Sequence, residues 1–391
     1  MDVFLLSAAR TPIGKFLGEL ADVPAPRLGA VALAEALKRA NVAPGQVDEV
    51  ILGNVVQAGV GQNPARQAAL FAGLPDSIAA YTVNKVCGSG LKAAMLGAQA
   101  IKAGDAEIVA AGGMESMSRA PYLAEGARTG LKCGDGKLVD SLVKDGLWCA
   151  FENWPMGDAA EHIACSCEIT RGDQDRFSAQ SHKRAAAAWE AGAFAEEVVP
   201  VSVGSGAKAR TVARDEGIRP DSTPEGLARL RPAFKPDGTV TAGNASQLSD
   251  GGAAVVLASG RAVERLKAKP LARVVAYATS GVAPKEIFRA PVPAVRMVLE
   301  KAKLSMSDIG LFELNEAFAA QMLACGKELG LDEAKVNVHG GAIALGHPIG
   351  ASGARVLVTL LYALARHNQR YGLASLCLGG GNAVAMVIER V

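Results

Sequence analysis

The sequence predicts an α/β fold of two similar halves joined by an inserted loop region. Three observations lead to this prediction. Strand-like and helix-like segments alternate in the first third of the chain, and the alternation returns in the last third. The residues between these thirds are more polar and charged and are interrupted by Pro. The 391 residues are enough for two domains of common size, or for two halves and an insertion. Half of the residues are apolar and 44 are Gly, which suits closely packed helix and sheet layers.

The elements of each third follow in the same order. In the first third, apolar strand-like segments flank a small-residue helix: VDEVILGNVV, GLKAAMLGAQAIKAG and AEIVAAGGMES. In the last third the corresponding segments are DIGLFELNEAF, ASGARVLVTLLYALARH and GLASLCLGGGNAVAMVIERV. This alternation is typical of α/β layers, and its return indicates an internal duplication.

Recurring turn motifs support the duplication. In each half a strand ends near an Asn, a Gly-rich turn opens a helix, and a later strand runs into a glycine pair. The paired positions are Asn54 with Asn315, Cys87-Gly-Ser-Gly90 with Gly350-Ala-Ser-Gly353, and Gly112-Gly113 with Gly379-Gly380. Two halves facing each other would bring these turns to one shared site, so we expect the chemistry at their junction.

The region between the halves is polar, charged and interrupted by Pro. We predict a loop domain over residues 120–246, an N-terminal half over 1–119 plus 247–270, and a C-terminal half over 271–391. Long excursions in compact proteins are usually lids or binding loops. The alternative is a separate all-α module with no contact to the site.

Composition excludes several classes of protein. The net charge of +2 gives no field that would attract nucleic acid, and no run of about 18 apolar residues indicates a membrane span. The N-terminus lacks a signal-peptide core, so we expect a cytoplasmic protein. Seven irregularly spaced cysteines indicate free thiols. His162, Cys165 and Cys167 lack the second ligand pair of a zinc site, and we predict no metal.

Cys87 is the first candidate catalytic residue. It lies in NKVCGSGLKAAM, where a strand-like segment meets a helix, so its sulfur should sit at a helix N-terminus that favours the thiolate. The alternative is a buried cysteine beside a tight glycine turn.

Three further residues of the matching turns carry functional groups. His347 in LGHPIGASG can accept a thiol proton as a general base, or only make local hydrogen bonds. Cys377 in SLCLGGGNA precedes glycines whose N–H groups can hold an oxyanion, or it is a core cysteine. Asn315 in ELNEAFAAQ is either catalytic or an N-cap. The absence of CxxC argues against a redox pair.

Five motifs in order closely resemble the thiolase family, and the resemblance covers essentially the whole chain. They are NKVCGSG, TAGNASQLSDGGAA, NEAFAAQ, GGAIALGHPIGASGAR and CLGGG, with SAARTPIGKFLGEL and GGMESMSRAPY near the start. The resemblance implies a five-layer αβαβα fold of two duplicated halves with an inserted loop domain. It also implies a homotetramer built from tight dimers.

The resemblance assigns a role to each candidate. Cys87 would take an acyl group from one acyl-CoA while His347 accepts its proton, and Cys377 would remove an α-proton from a second acyl-CoA. His347 with a water held by Asn315 would stabilise the enolate. The N–H groups of Cys87 and Gly379 would bind the thioester oxygen. No cofactor is implied, because the coenzyme A thioesters are substrates.

Contacts to coenzyme A are also implied by the resemblance. The matching positions are Leu147, Met156, Arg219, Phe234, Ser246 and Phe318, with Arg219 facing the phosphorylated nucleotide. The chain departs from the family at Pro155, where acetoacetyl-CoA thiolases commonly have His, and at His339, where many have Asn. Residues 286–291, EIFRAP, replace a loop containing Met-Gly. These departures concern a pantetheine contact and the acyl-chain preference.

Four functions are compatible with these motifs. The favoured one is acetyl-CoA C-acetyltransferase, and a close variant is a 3-ketoacyl-CoA thiolase that accepts longer chains. A decarboxylating condensing enzyme of the same superfamily would use His or Asn partners, and Cys377 argues against it. A non-catalytic lipid- or CoA-binding relative is disfavoured by the intact set of Cys87, Asn315, His347 and Cys377.

Overall fold

The computed structural model describes residues 1–391, apart from the side chain of Ala207. The elements before the insertion are strands and helices of the first half. The strands are β1 (Val3–Arg10), β2 (Gly14–Lys15), β3 (Glu49–Gly53), β4 (Ala79–Val83) and β5 (Ile108–Ser116). The helices are α1 (Ala25–Arg39), α2 (Pro64–Phe71) and α3 (Ser89–Ala103).

The insertion contains three short β-hairpins as well as helices. Its strands are β6 (Tyr122–Leu123), β7 (Val139–Asp140), β8 (Trp148–Cys149), β9 (Trp154–Pro155), β10 (Val201–Val203) and β11 (Arg210–Val212). Its helices are α4 (Met156–Ser166), α5 (Arg171–Glu190) and α6 (Pro224–Leu227), preceded by a π-helical turn at Leu142–Leu147. The alternative of an all-α module is therefore wrong.

After the insertion the chain completes the first half and builds the second. These elements are β12 (Ser249–Ser259), α7 (Gly260–Leu266), β13 (Ala272–Gly281), α8 (Pro291–Ala302), β14 (Leu311–Leu314), α9 (Ala319–Leu329), α10 (Ala342–Leu345), α11 (Ile349–Arg366), β15 (Tyr371–Leu378) and β16 (Asn382–Arg390). Short 3-10 turns lie at Pro44–Gln46, Met117–Arg119, Ala127–Thr129, Gly206–Lys208, Pro284–Arg289, Met306–Asp308 and Glu333–Lys335.

The strand order confirms the predicted duplication. The large sheet runs β14-β15-β16-β13-β1-β12-β5-β3-β4, and β2 pairs with β12. In the first half β3 is parallel to β5, while β12 is antiparallel to β5 and to β1. In the second half β14 is parallel to β15, while β16 is antiparallel to β15 and β13. A parallel bridge from Phe312 to Val336 stands where β4 stands in the first half.

The two halves of the sheet are joined by a short junction. Strands β1 and β13 pair only through Phe4 with Arg273 and Leu5 with Ala272. Sequence patterning predicted two facing halves but not this hydrogen-bonded continuity between them. The predicted domain boundaries themselves stay a prediction.

Both faces of the strands are buried, which produces five layers. On β12, Val255 and Leu257 pack toward α3 and α11, whereas Ala254 and Val256 pack toward α1 and α2. Helices α8 and α9 cover the outer face of the second half. Because successive strand residues point to opposite faces, these near-continuous apolar strands suit a sheet covered on both sides. The predicted αβαβα layers are confirmed.

Helices α3 and α11 meet at the centre through two glycines. A Cβ on Gly90 would lie 2.5 Å from the backbone nitrogen of Ala354, and one on Gly353 would lie 2.3 Å from that of Leu91. The two backbones thus approach too closely for any side chain at either position. This contact fixes the start of one helix against the start of the other.

Helix α11 is long and apolar enough to span a membrane by length and composition, with a mean hydropathy of 1.3. In the fold, 83% of it is buried. Its apolar surface is used between the two sheets, where Val356, Leu357 and Leu360 pack in the central core. The composition of this helix therefore follows from its central place.

Gly353→Ala tests the contact between α3 and α11. We expect a loss of about 1–3 kcal/mol or more in the free energy of unfolding, because the added methyl group meets backbone rather than a movable side chain. The control is Gly326→Ala on α9, where a Cβ meets no atom within 4 Å. That variant should gain about 0.5–1 kcal/mol. Chemical denaturation measures both, and equal stabilities would contradict the close contact.

Candidate functional site

Cys87 lies in a strained turn between β4 and α3. Val86 has a φ of 46°, a left-handed conformation that is unfavourable for a β-branched residue. The turn is held by side chains: Ser89 Oγ accepts from the N–H of Lys85 at 2.9 Å and donates to the carbonyl of Val86 at 2.6 Å. Asn84 Oδ1 accepts from the N–H of Val86. The surroundings thus hold Cys87 in one position, half-buried at the cavity.

Burial controls the protonation of Cys87. It raises the pKa of Cys87 to about 12, although hydrogen bonds from the N–H groups of Cys87 itself and of Gly379 lower it. The prediction that the helix N-terminus favours the Cys87 thiolate is therefore wrong. The loss of hydration raises the pKa of Cys87 more than the backbone N–H donors lower it. The residue is held as a neutral thiol, and a reaction at its sulfur needs a base.

His347 is placed by its backbone and by Ser352. Its N–H donates to the carbonyl of Gln247 at 3.0 Å, and its ring Nδ1 lies 2.6 Å from Ser352 Oγ. The Ser352 hydroxyl donates its one hydrogen to the carbonyl of Pro348. It can therefore only accept from Nδ1–H, which leaves Nε2 as the unprotonated nitrogen.

The imidazole of His347 is neutral. Burial, and secondarily the positive charge of Arg355, lower the pKa of His347 to about 3. Because the ring is neutral at any ordinary pH and its Nε2 carries no proton, Nε2 can act as the proton acceptor during a reaction. His347 and Cys87 both line the same cavity.

Asn315 follows β14 and contacts the imidazole. Its Nδ2 lies 3.4 Å from Nε2 and 3.5 Å from Nδ1 of His347, and its backbone N–H donates to the carbonyl of Ser375. Its Oδ1 is buried and has no hydrogen-bond partner among the described residues. Helix α9 begins at Ala319 with Phe318 at its N-cap position, so the alternative that Asn315 caps the helix is wrong.

Cys377 approaches the site from the other half. It lies near the end of β15, opposite Ala383 of β16, and lines the cavity with Cys87. Burial and then the neighbouring Cys87 raise the pKa of Cys377 well above its ordinary value. After it, Gly380 and Gly381 have φ of 80° and 81°, which only glycine adopts readily. The turn directs the N–H of Gly379 at the sulfur of Cys87.

These residues surround an apolar cavity of about 360 Å³. Five of the six predicted coenzyme A contacts line it: Leu147, Met156, Phe234, Ser246 and Phe318. Since Leu147, Met156 and Phe234 belong to the insertion, that region covers the site. Arg219 is exposed, and its backbone N–H donates to His182 Nδ1. Its contact with a nucleotide stays a prediction.

The family departures fall in different places. Pro155, Ile287 and Phe288 line the cavity. His339 is buried elsewhere, with Nε2 3.2 Å from Nε2 of His367 and its ring edge toward Phe194. His339 therefore packs with Phe194 and His367 rather than forming part of the cavity wall.

Sequence reasoning missed two residues that position the site. Ser352 occupies the place in the second turn that Ser89 occupies in the first, so pairing the two turns residue by residue could have found it. Glu115 accepts from Asn54 Nδ2 at 2.6 Å, from the N–H of Val55 at 3.1 Å and from that of Gly350 at 2.9 Å. It thus joins the end of β3 to the start of α11 across the two halves. A carboxylate near the end of a largely apolar strand was its only signal.

Comparisons with known proteins agree along the whole chain. The family described as "Thiolase, N-terminal domain" matches residues 3–261, and "Thiolase, C-terminal domain" matches 268–390. An acetyl-CoA acetyltransferase of Pseudomonas aeruginosa is 54% identical over 391 residues, covering 100% of this chain and 99% of that protein. One from Escherichia coli K12 is 53% identical over 388 residues, covering 99% and 98%.

A solved structure shares the fold. The crystal structure of the Bacillus anthracis acetyl-CoA acetyltransferase is similar with a TM-score of 0.98 and 45% sequence identity. The match covers 100% of this chain and 99% of that one.

Ser352→Ala tests how His347 is held. The substitution leaves the buried Nδ1–H without its acceptor, and we expect a loss of about 1–3 kcal/mol in the free energy of unfolding. Ser307→Ala is the control, because Ser307 is exposed and bonds only to Ser305 among the described residues. It should change stability by less than about 0.5 kcal/mol. Indistinguishable denaturation curves for the two variants would remove the assigned hydrogen bond.

Proposed function

The chain belongs to the thiolase family, and on that basis we propose that it is an acetyl-CoA C-acetyltransferase, which condenses two acetyl-CoA into acetoacetyl-CoA and CoA. The reverse reaction uses the same residues. The observation that carries the proposal is the meeting of Cys87, His347 and Cys377 around one apolar cavity. The relatives named acetyl-CoA acetyltransferase support it, since each matches almost the whole chain.

The first half-reaction transfers an acetyl group to Cys87. The sulfur attacks the thioester carbon while its proton moves to Nε2 of His347. Before the reaction Nε2 carries no proton, because the ring proton lies on Nδ1 and is donated to Ser352. The carbon–sulfur bond to coenzyme A then breaks, and the CoA thiolate takes the proton back from the imidazolium. The acetyl group remains on Cys87.

The second half-reaction makes the carbon–carbon bond. The Cys377 thiol gives its proton to Nε2 of His347, and the resulting thiolate removes a proton from the methyl carbon of a second acetyl-CoA. The enolate formed in this way attacks the acetyl carbon on Cys87. The Cys87 sulfur leaves as a thiolate and takes the proton from Nε2 of His347, so acetoacetyl-CoA is formed and both cysteines end as thiols. Burial raises the pKa of Cys377, so its thiolate is a stronger base than that of an exposed cysteine.

Two oxygen-binding positions accompany these steps. Nε2 of His347, which carries the proton from Cys377 at this stage, and a water held by Asn315 are assigned to the enolate oxygen; Asn315 Nδ2 lies 3.4 Å from Nε2. The N–H groups of Cys87 and Gly379, which act on the Cys87 sulfur, are assigned to the oxygen of the acylated thioester. Donors fixed in advance in a dry cavity stabilise a developing charge by several kcal/mol.

The remaining assignments follow from the same chemistry. We propose acyl-CoA as the bound partner and no cofactor, because the nucleophile, both bases and the oxyanion donors are all protein groups. A cytoplasmic location is proposed with them, since acyl-CoA is an intracellular metabolite class. The presence of Cys377 at the site disfavours the decarboxylating alternative.

Two cysteine variants separate the half-reactions. With radiolabelled acetyl-CoA we expect Cys377→Ala to form an acyl-enzyme yet not to condense, and Cys87→Ser to form no acyl-enzyme. Loss of a group that acts as the base should lower condensation by about 10²–10⁴-fold. Filter binding and acetoacetyl-CoA absorbance measure the two steps.

The control is Cys133→Ala, because Cys133 is exposed in the insertion. It should leave both half-reactions intact. Full condensation by Cys377→Ala would remove the role assigned to that cysteine, and labelling of Cys87→Ser at the wild-type level would remove the nucleophile.

We also propose a homotetramer. The hairpin of β6 and β7 presents large apolar side chains to the surface: Tyr122 is 64% exposed, Leu131 is 63% exposed and Leu138 is 70% exposed. Large apolar side chains exposed on one segment are a feature of interfaces between subunits. An edge strand, β4, supplies a second surface for pairing with another copy.

The double variant Leu131→Ser, Leu138→Ser should reduce the tetramer to a smaller assembly, because both apolar contacts on the hairpin are lost. Sedimentation velocity at micromolar concentration measures the change. Met297→Ser, at a 39% exposed residue on α8, is the control and should leave the assembly unchanged. A tetramer that persists in the double variant would place the interface elsewhere.

A further inference from the structure

A second cavity, of about 330 Å³, shares no lining residue with the apolar cavity of the catalytic cysteines. Three separate elements each give it one basic side chain: Arg184 on α5, Lys335 in the turn Glu333–Lys335 and His367 at the end of α11. No Asp or Glu is among its described lining residues. The other lining residues are neutral: Gly310, Leu311, Ala334, Val338 and Gln369.

Two elements run from this cavity to the site of the catalytic cysteines. Helix α11 begins at Ile349, next to His347, and ends with His367 as its C-cap. Its 18 residues rise about 27 Å. Strand β14 begins at Leu311, which lines the second cavity, and Asn315 follows its last residue. The second cavity therefore lies at the opposite end of both elements and is a separate site.

Arg184 is held in place without losing its charge. Its Nη1 donates to the carbonyl of Val336 at 2.7 Å, and its Nη2 donates to the carbonyl of Glu333 at 2.9 Å. The ion pairs that Arg side chains of α5 form belong to Arg171 and Arg176. Because Arg184 bonds only to neutral carbonyls among the described residues, its guanidinium is fixed in direction and keeps an uncompensated positive charge.

His367 is held by a second imidazole. Its Nε2 lies 3.2 Å from Nε2 of His339, which is buried. Burial, with smaller effects of His367 and Arg366, lowers the pKa of His339 to about 4, so the ring of His339 is neutral. Only one hydrogen fits between the two nitrogens, and the contact holds the ring of His367 whichever ring supplies that hydrogen.

Lys335 is the third basic residue and is half-buried. Its Nζ makes no hydrogen bond or ion pair within the part of the chain that the structure describes. Asp332 precedes the same turn, but its carboxylate accepts from the N–H of Ala334 and is used to cap the turn. The cavity therefore gathers positive charge from three directions, and a cleft lined by one sign of charge concentrates ligands of the other sign.

We propose that this cavity binds a phosphate group, either as the free anion or as part of a phosphate monoester. Phosphate carries several acceptor oxygens on one compact group, which suits donors that arrive from three elements. Arg and Lys are the side chains that bind phosphate in proteins, Arg as a planar donor and Lys as a point charge. The volume of the cavity also falls in the range of sites for small organic ligands. The site goes beyond the proposed function and does not depend on it.

Isothermal titration calorimetry of the full chain, at constant ionic strength, tests the site with inorganic phosphate and with AMP. Lys335→Ala should weaken the binding of both by about tenfold or more, because a charge-assisted hydrogen bond is lost. Lys335→Arg keeps the charge and should retain binding. Lys269→Ala is the matched control, because Lys269 is exposed between α7 and β13, outside the cavity. It removes the same charge and should leave the affinity unchanged.

A second pair of variants locates the ligand. His367→Asn, which removes the ring from the same cavity, should also weaken the binding of phosphate and AMP. Arg219→Ala should leave it unchanged, although Arg219 is the residue predicted to face the nucleotide of coenzyme A. Without ligand, Lys335→Ala should melt at the wild-type temperature. Added phosphate should raise the melting temperature of the wild type more than that of the variant.

The two probes distinguish the sources of the phosphate group. Equal affinities assign the cavity to the free anion, and tighter binding of AMP assigns it to a monoester whose organic part fills the remaining space. Wild-type protein that binds neither probe overturns the inference. Binding that Lys335→Ala and His367→Asn leave at the wild-type level, or that only Arg219→Ala weakens, overturns it as well.

Discussion

The backbone contact between α3 and α11 is the constraint on which the rest of the molecule depends. Each helix begins at one of the duplicated turns, and Gly90 and Gly353 let the two beginnings approach to within backbone distance. A side chain at either glycine would push one half away from the other. Since Cys87 precedes α3 and His347 precedes α11, the same contact determines how far the nucleophile lies from its base. The packing of the two halves and the separation of Cys87 from His347 therefore both depend on this contact.

Burial then decides the charges of the site. It holds Cys87 as a thiol and His347 as a neutral ring, because both charged forms lose hydration in the cavity. Separating them into thiolate and imidazolium would cost on the order of 10 kcal/mol before their mutual attraction is counted. Proton transfer should therefore accompany attack on the thioester rather than precede it. In the resting site Cys87 and His347 therefore form no ion pair, and the N–H groups of Cys87 and Gly379 remain available to the oxygen atoms of the substrate.

Sequence patterning was sufficient for the layered fold and for the pairing of the two halves, because matching turns repeat residue by residue. It placed Cys87, Cys377, His347 and Asn315 together for the same reason. It predicted a lowered pKa for Cys87, whereas the pKa is raised, because the burial of the sulfur depends on what the second half places over it. Ser352 and Glu115 were missed because their partners, Nδ1 of His347 and the N–H of Gly350, are assembled only in the folded chain. Arg219 belongs to a loop whose direction no local pattern specifies.

The separation of the two cysteines along the chain has a consequence during synthesis. About 290 residues lie between them. A ribosome that adds about 5–20 residues per second needs roughly 15–60 seconds to synthesise this stretch. Throughout that interval Cys87 lacks the turn after β15, and for most of it also α11, the elements that bury it in the folded chain. It then behaves as an ordinary thiol, with a pKa near 8.5 and open to oxidants and electrophiles. The nascent chain is thus more vulnerable at this sulfur than the finished enzyme, and arrival of the last strands ends the exposure.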